Sequence, residues 1–491
     1  MTAAAHGPQS AEEFKGVAVV VAGLGVSGVP AATVLHGLGA RVTVVNGTAG
    51  DKQRAEAAEL EALGVTVRLG DGDTLPEGTE LVVTTPGWKP VSPLFLAAEE
   101  AGVPVWGDVE LAWRLRKPGA APWLAVTGTN GKTTTTRILA AILAAAGLRT
   151  AAVGNIGVSL LDVVLGEQEY DVLAVELSSY QLHWAPSIRP HSAAVLNLAP
   201  DHLDWHGSMA AYAADKGRIY HGNTVACVYN AADPETERLV READVEEGCR
   251  AIAFTLDAPR PSQFGVVDGL LVDRAFVEDR ANNAQELAET GDVTPPAPHN
   301  IANALAAAAL ARAFGVAPAA VREGLRAFTP DAHRIAEVAT VGGVTYVDDS
   351  KATNTHAAEA SLASYPSIVW LAGGLAKGAE FDELAARAAG RLRAAVLFGA
   401  DRALIREALA RHAPQVPVTE LDRTDTGAMS AAVAMAQDLA QPGDTVLLAP
   451  ACASMDMFTN YNQRGDMFAD AVRALADASA GPAPGAGAAE G

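Results

Sequence analysis

Cysteine is nearly absent from this chain. Cys227, Cys249 and Cys452 are scattered through 491 residues with no CxxC pair. That spacing excludes a disulfide framework and a cysteine-held metal, and the expected compartment is the reducing cytoplasm. Basic residues are also short: 36 Lys plus Arg against 58 Asp plus Glu give a formal net charge of -22. Such a field repels polyanions, so no nucleic-acid partner is expected. Long apolar runs are missing as well. The most apolar early stretch, 17–26, is short and interrupted by glycine, and no basic segment leads into it; neither export nor a membrane span is expected.

What is present is core material: 49% hydrophobic residues against 19% charged, which is not the composition of a disordered chain. The length exceeds what one core holds and predicts three domains. The last residues, 478–491, are mostly Ala, Gly and Pro and are expected to form a disordered tail.

Periodicity predicts three α/β units in series. The first has strands at 17–22, 41–45 and 81–84 and a helix at 92–101, and it ends where Lys117, Pro118 and Gly119 break the alternation. In the second, a strand at 123–127 runs through a Gly-rich loop into a helix ending near Gly147. Strands at 171–175, 193–196 and 224–229 follow, and 301–314 is its last helix. The third starts near residue 331, with strands at 344–347, 368–371, 395–397 and 445–448. The predicted domains are therefore 1–118, 119–330 and 331–477.

Several motifs carry chemistry. Gly23, Gly25 and Gly28 follow a strand and open a helix, the spacing that lets backbone approach a pyrophosphate at a helix N-terminus. A nicotinamide dinucleotide would also need an acid at the end of the next strand, where this chain has Asn46. Another pyrophosphate, such as a UDP-linked substrate, fits the same loop. Gly128-Thr129-Asn130-Gly131-Lys132-Thr133-Thr134 lies between a strand and a helix. Its amides can nest phosphate oxygens, Lys132 supplies a cation and Thr133 a Mg²⁺-ligating hydroxyl. It is a variant phosphate loop, since Val126 stands where the strict pattern has glycine. Glu176 ends a strand, as a Mg²⁺ ligand would, and Asp201, His202 and Asp204 follow another. Lys216 taken alone reads as a solvated surface lysine. Asn300 and Asn303 share a helix face and can read a base edge, Arg334 can clamp phosphate, and Asp349 can take ribose hydroxyls. Ser454 follows the strand at 445–448.

Taken together, the stretches GTNGKTT (128–134), GNIG (154–157), ELSSYQL (176–182), DHLDWHG (201–207), HNIANALAA (299–307), DDSKATN (348–354) and APACASMDMFTNYNQRG (449–465) resemble the ATP-dependent Mur ligases of peptidoglycan synthesis, and among them the members that add D-glutamate. The match spans about 17–475. The resemblance implies an N-terminal Rossmann-like UDP-binding domain, a central P-loop ATPase-like domain and a C-terminal Rossmann-like α/β domain that closes over the amino acid. It implies a cytoplasmic monomer that joins D-glutamate to UDP-N-acetylmuramoyl-L-alanine through an acyl phosphate. ATP, two Mg²⁺ ions and CO₂ as a lysine carbamate are the implied cofactors. Carried over by residue, Gly128 to Thr134, Asn300, Asn303, Arg334, Asp349 and Lys351 contact ATP. Thr133, Glu176, His202 and Lys216 as its carbamate hold Mg²⁺, and Lys132, Glu176, His202, Lys216 and Arg334 are the catalytic set. Val26, Ser27, Asn46, Gly87 and Asn155 match positions at the UDP-sugar, and Thr353, Lys377, Ser454 and Tyr461 positions at D-glutamate. Two departures stand out: Asn46 replaces a residue often acidic in relatives, and Tyr461 stands where some carry Phe. The alternatives are a folylpolyglutamate synthetase-like ligase and a nucleotide-binding regulator without turnover.

Overall fold

The computed structural model describes residues 7–8, 10–330, 332–423, 425 and 427–480. The first sheet holds β1 (Ala18–Ala22), β2 (Arg41–Asn46), β3 (Thr66–Leu69), β4 (Leu81–Thr84) and β5 (Val105–Gly107). It is all parallel, in the order β3-β2-β1-β4-β5. Strand order reverses between β1 and β4, and in such a sheet the crevice beyond their carboxyl ends is where ligands settle. The Gly23–Gly28 loop leaves from β1 and the segment carrying Gly87 from β4.

The second sheet comprises β6 (Trp123–Thr127), β7 (Ala152–Gly154), β8 (Leu173–Glu176), β9 (Ser192–Val195), β10 (Ala226–Asn230), β11 (Arg250–Phe254), β12 (Gln263–Val267), β13 (Leu270–Asp273) and β14 (Gln285–Glu289). Their order is β14-β13-β12-β11-β10-β9-β6-β8-β7, parallel except where β13 pairs antiparallel with β12 and β14. The central strands β6, β8 and β9 are buried along their whole length, as expected of parallel strands covered on both faces. One cover is the helix Lys132–Ala145, which buries Ile138, Leu139, Ile142 and Leu143, one stripe of a 3.6-residue repeat.

The third sheet has β15 (Ala336–Val341), β16 (Val344–Asp348), β17 (Ile368–Gly373), β18 (Leu392–Phe398), β19 (Val418–Glu420) and β20 (Thr445–Leu448). The order is β15-β16-β20-β17-β18-β19, and only β15 runs antiparallel.

Two compact units result: Met1–Pro296 with Asn300–Phe328, and Ala297–His299 with Thr329–Gly491. The first unit contains both of the first two sheets. Trp106, Leu111 and Leu115 share one core cluster with Trp123, Leu182 and Ile188. Gly107 N–H donates to the Trp184 carbonyl at 2.8 Å, and buried Glu110 accepts from Ser187 N–H at 3.0 Å.

Expected strands and helices stand within three residues of their sequence positions, with two corrections. The helix expected at 301–314 runs Pro298–Ala313 and is not the last of its unit, because Pro318–Ala327 follows it. Strands β3, β5, β7, β11 to β15 and β19 are not among the expected ones; they are short or partly exposed. The expected tail lies outside the described residues, apart from its first three, which end the helix Tyr461–Ala480.

Candidate functional site

The phosphate loop begins where β6 ends. Gly131 has φ +83° and caps the helix Lys132–Ala145, and a Cβ there would stand 2.4 Å from Asn303 Oδ1. Both the left-handed backbone and the amide lying over it demand glycine. Asn303 Nδ2 in turn lies 3.5 Å from Asn300 Oδ1, so the two expected base-reading amides sit together, one of them against the loop. The loop is also braced from behind. Asn130 N–H donates to Asn197 Oδ1 at 2.8 Å, and Thr129 Oγ1 pairs with the Tyr212 hydroxyl at 2.9 Å.

Two ammonium groups converge on this loop. Lys132 Nζ donates to the carbonyls of Gly128 at 2.9 Å and Thr129 at 2.8 Å. Lys216 Nζ donates to the same Gly128 oxygen at 2.7 Å. Lys216 is 1% exposed, which corrects the reading of it as a solvated lysine. It lies four residues beyond Tyr212 on the helix Met209–Gly217, and that spacing puts both side chains on the face that meets the loop. Burial pushes the Lys216 amine well below its ordinary value, and the charge of Lys132 pushes the same way.

Glu176 closes β8 beside the loop, as the register Val126↔Glu176 requires. Its Oε1 accepts from Asn155 Nδ2 at 2.9 Å, while its buried Oε2 has no hydrogen-bond partner. A buried carboxylate oxygen without a donor is costly unless something positive reaches it. Asn155, expected at the UDP-sugar, is thus placed against Glu176. His202 has φ +53°, is 43% exposed in its side chain, and stands 3.6 Å from Asp201 and against the Tyr180 ring. Among the described residues no group of three His, Cys, Asp or Glu side chains could by itself hold a metal.

At the first sheet, Gly28 must be glycine because a Cβ would lie 2.0 Å from the Gly23 carbonyl. Val26 is 87% exposed at the start of the helix Gly25–Gly37. Ser27 bonds to Asp108, whose carboxyl is pushed up by burial. Asn46 Oδ1 accepts from Leu24 N–H at 3.3 Å and its Nδ2 donates to the Thr48 carbonyl at 2.9 Å. Its amide therefore braces the glycine turn, where a dinucleotide site would present a free carboxylate. Gly87 is exposed beyond β4.

In the second unit three loops leave the carboxyl ends of β16, β17 and β20. Asp349, at the end of β16, accepts from Ile335 N–H at 3.3 Å and from the Ser361 hydroxyl, and burial pushes its carboxyl up to about 6. Next to it, Lys351 Nζ donates to the Tyr461 hydroxyl at 3.1 Å. Arg334 leaves a buried Nε without a partner, and its neighbour His333 pairs with Asp348 at 2.6 Å. Leu375 and Ala453 pair across a bridge, so exposed Lys377 and buried Ser454 leave from one junction. Thr353 is half-buried on the loop after β16.

Sequence reasoning missed Asn197, Tyr212 and Ser361, and also Arg464. The Arg464 side chain is fully buried and bonds to Ser350 Oγ at 3.0 Å, the Ser350 carbonyl at 2.8 Å and the Cys452 carbonyl at 3.1 Å, lacing two of the three loops. The signal for Tyr212 and Lys216 was available in their four-residue spacing. Arg464 lies inside the motif at 449–465, but nothing in the sequence shows that its guanidinium turns inward to Ser350 and to loop carbonyls.

Residues 126–311 match the family model of the Mur ligase middle domain, and 333–452 that of the Mur ligase glutamate ligase domain. The chain is 81% identical to the UDP-N-acetylmuramoylalanine--D-glutamate ligase of Streptomyces coelicolor, over 94% of this chain and 99% of that protein. It is 60% identical to the ligase of the same name from Thermobifida fusca, over 94% of this chain and 100% of that protein. In fold it is similar to the MurF ligase of Thermotoga maritima solved with ADP, with TM-score 0.55 and 16% identity over 95% of this chain and 97% of that one.

Proposed function

Since this chain belongs to the Mur ligase family, we infer that it is the ATP-dependent ligase that joins D-glutamate to UDP-N-acetylmuramoyl-L-alanine in peptidoglycan synthesis. The observation that carries the ATP half of this reading is the phosphate loop with two lysines on one carbonyl, Lys132 and Lys216 on Gly128. The amino-acid half rests on the identity to relatives of that name.

The terminal L-alanine carboxylate is a poor electrophile. One of its oxygens attacks the γ-phosphorus of ATP, the bond to ADP breaks, and an acyl phosphate forms. The D-glutamate amine then adds to the acyl carbon, the tetrahedral intermediate expels phosphate, and the amine proton leaves to solvent. The protein supplies position and charge more than covalent chemistry. Lys132 turns from its own loop carbonyls to the transferring phosphate, and the loop amides hold the phosphate oxygens. Asn300 and Asn303 take the base, Asp349 the ribose, and Arg334 and Lys351 the phosphate charge. Val26, Ser27, Asn46, Gly87 and Asn155 form the UDP-sugar side, and Thr353, Lys377, Ser454 and Tyr461 the D-glutamate side.

The partnerless Glu176 Oε2 fits a cation, and oxygen donors suit Mg²⁺. Thr133, Glu176, His202 and Lys216 as its carbamate would hold it. Oxygen atoms of the bound phosphates would complete the set, the usual habit of Mg²⁺. When bound, the metal neutralises charge on the transferring phosphate. The carbamate is what the family resemblance implies, and the burial of Lys216 supports it: an ammonium has no lone pair to offer a metal, burial lowers the amine's proton affinity, and the neutral amine is the form that adds CO₂ and gains oxygen ligands. We divide the chain into a UDP-sugar domain at 1–118, an ATP domain at 119–330 and an amino-acid domain at 331–477. We take the enzyme to act as a monomer, as the family resemblance implies. No helix among the described residues is long and apolar enough to cross a membrane, and the three free thiols and the need for ATP suit the cytoplasm.

Substrate omission tests the assignment. ADP release is expected only when UDP-N-acetylmuramoyl-L-alanine and D-glutamate are both present. Turnover with a pterin polyglutamate acceptor would point to the folate branch, and no turnover under any combination would leave a nucleotide-binding regulator.

A further inference from the structure

His206 is absent from the ligand set above, yet its imidazole is wholly buried and both of its nitrogens are engaged. Nε2 pairs with Ser179 Oγ at 3.0 Å, and Nδ1 with Asp215 Oδ2 at 2.9 Å. The Asp215 carboxylate also meets His183 Nδ1 at 2.9 Å and Arg218 Nε at 3.2 Å. On paper this is the Ser-His-Asp order of a hydrolase. The surroundings exclude that use, because Ser179 is 2% exposed and an acyl group could not reach it. The ring is packed as well, stacked on Tyr180 with an interplanar angle of 4° and edge-on to Tyr212 at 5.1 Å.

The positions of these partners in the chain give the network its meaning. Ser179 opens the helix Ser179–His183, three residues after Glu176. His206 ends the helical turn Leu203–His206, which His202 caps. Asp215 immediately precedes Lys216. The segment after β8 and two successive helical segments after β9 thus meet at one ring, and each carries one of the side chains assigned to Mg²⁺. We propose that His206 is a positioning residue that fixes the mutual placement of Glu176, His202 and Lys216, and through them the affinity of the site for its metal. The proposal rests on the metal reading given above.

The physical case is that none of the three segments is held by a long regular element at this point. The helix Ser179–His183 has five residues, the turn at 203–206 four, and Lys216 lies in the last turn of its helix. A ring with two directed hydrogen bonds and three packed aromatic neighbours, Tyr180, Tyr212 and Trp205, restrains them jointly. Partners that orient metal ligands without touching the metal commonly change its affinity by roughly 10- to 100-fold when removed.

Mn²⁺ is the probe, titrated by electron paramagnetic resonance into the full-length enzyme with ATP present. Wild type and Lys216→Ala come first: tight binding by wild type, weakened in Lys216→Ala, supports the metal reading, whereas absence of binding by wild type overturns that reading and the proposal together. With the metal reading standing, His206→Phe keeps the packing and removes both hydrogen bonds. It is expected to weaken Mn²⁺ binding by roughly 10-fold or more, to lower kcat at limiting metal, and to leave the KM for D-glutamate unchanged, with kcat partly recovered at high metal. His206→Gln, which keeps polar atoms near both partners, should bind better than His206→Phe. Unchanged Mn²⁺ affinity in a folded His206→Phe protein, whatever its melting temperature, would overturn the proposal and leave His206 a structural strut. If His206→Phe does not fold, Ser179→Ala decides: weakened Mn²⁺ binding supports the proposal and wild-type affinity overturns it.

Discussion

Lys132 and Lys216 share a single carbonyl oxygen, and the two variants separate their roles. Lys132→Ala removes the cation that meets the transferring phosphate and should lower kcat by roughly 100-fold or more, with the melting temperature nearly unchanged; wild-type turnover would show that the loop is not catalytic. Lys216→Arg keeps a cation but cannot form the carbamate. It should lose most activity while still binding ATP, and wild-type enzyme stripped of CO₂ should recover turnover when bicarbonate is added. Full activity of Lys216→Arg without bicarbonate would remove the carbamate from the account. Asp349 makes a prediction about pH. Its carboxyl is pushed up to about 6 by burial, above the ordinary value near 4. The stability it contributes is therefore complete below about pH 4, where both states are protonated, and is lost as pH rises through 6. The loss is on the order of 3 kcal/mol. Asp349→Asn should flatten that part of the pH profile of the urea midpoint, and an unchanged slope would contradict it. Residue chemistry was legible in the sequence wherever a motif supplied it. For Lys216 the four-residue spacing from Tyr212 marks a shared face, but its burial comes from the loop packed over it and is not written in the sequence.

At the scale of elements, the glycines show how tightly loop and helix are matched. Gly131→Ala would force a left-handed alanine against Asn303, and the variant is expected to lose ATP affinity while the UDP-sugar still binds. Calorimetry with each ligand checks this; equal loss of both would mean that the first unit as a whole is disturbed. Strands such as β4, β6 and β20 lie where the sequence put them because four- or five-residue apolar runs rich in β-branched residues and bounded by turn residues are too short for helices and suit buried strands. The strands β11 to β14 were not legible, since their burial is partial and their order depends on pairing with β10 rather than on their own pattern. The helix Pro318–Ala327 was overlooked although Pro318 at its first turn marks its start.

At the scale of the whole molecule, three mostly parallel sheets with ligand loops at strand carboxyl ends agree with a ligase that gathers three small substrates. The sequence made that legible through motifs dispersed from 23 to 465, each weak alone. The cross-links between them, such as Arg464 and the network of His206, Asp215 and Ser179, became visible only with coordinates. If ATP activates the L-alanine carboxylate for attack by D-glutamate, one carboxylate oxygen must leave with the phosphate. Turnover of UDP-N-acetylmuramoyl-L-alanine whose terminal carboxylate is enriched in heavy oxygen, with the released phosphate and the product analysed by mass spectrometry, measures this. One heavy oxygen is expected in the phosphate and the other in the new amide. Product formed with unlabelled phosphate would contradict the account.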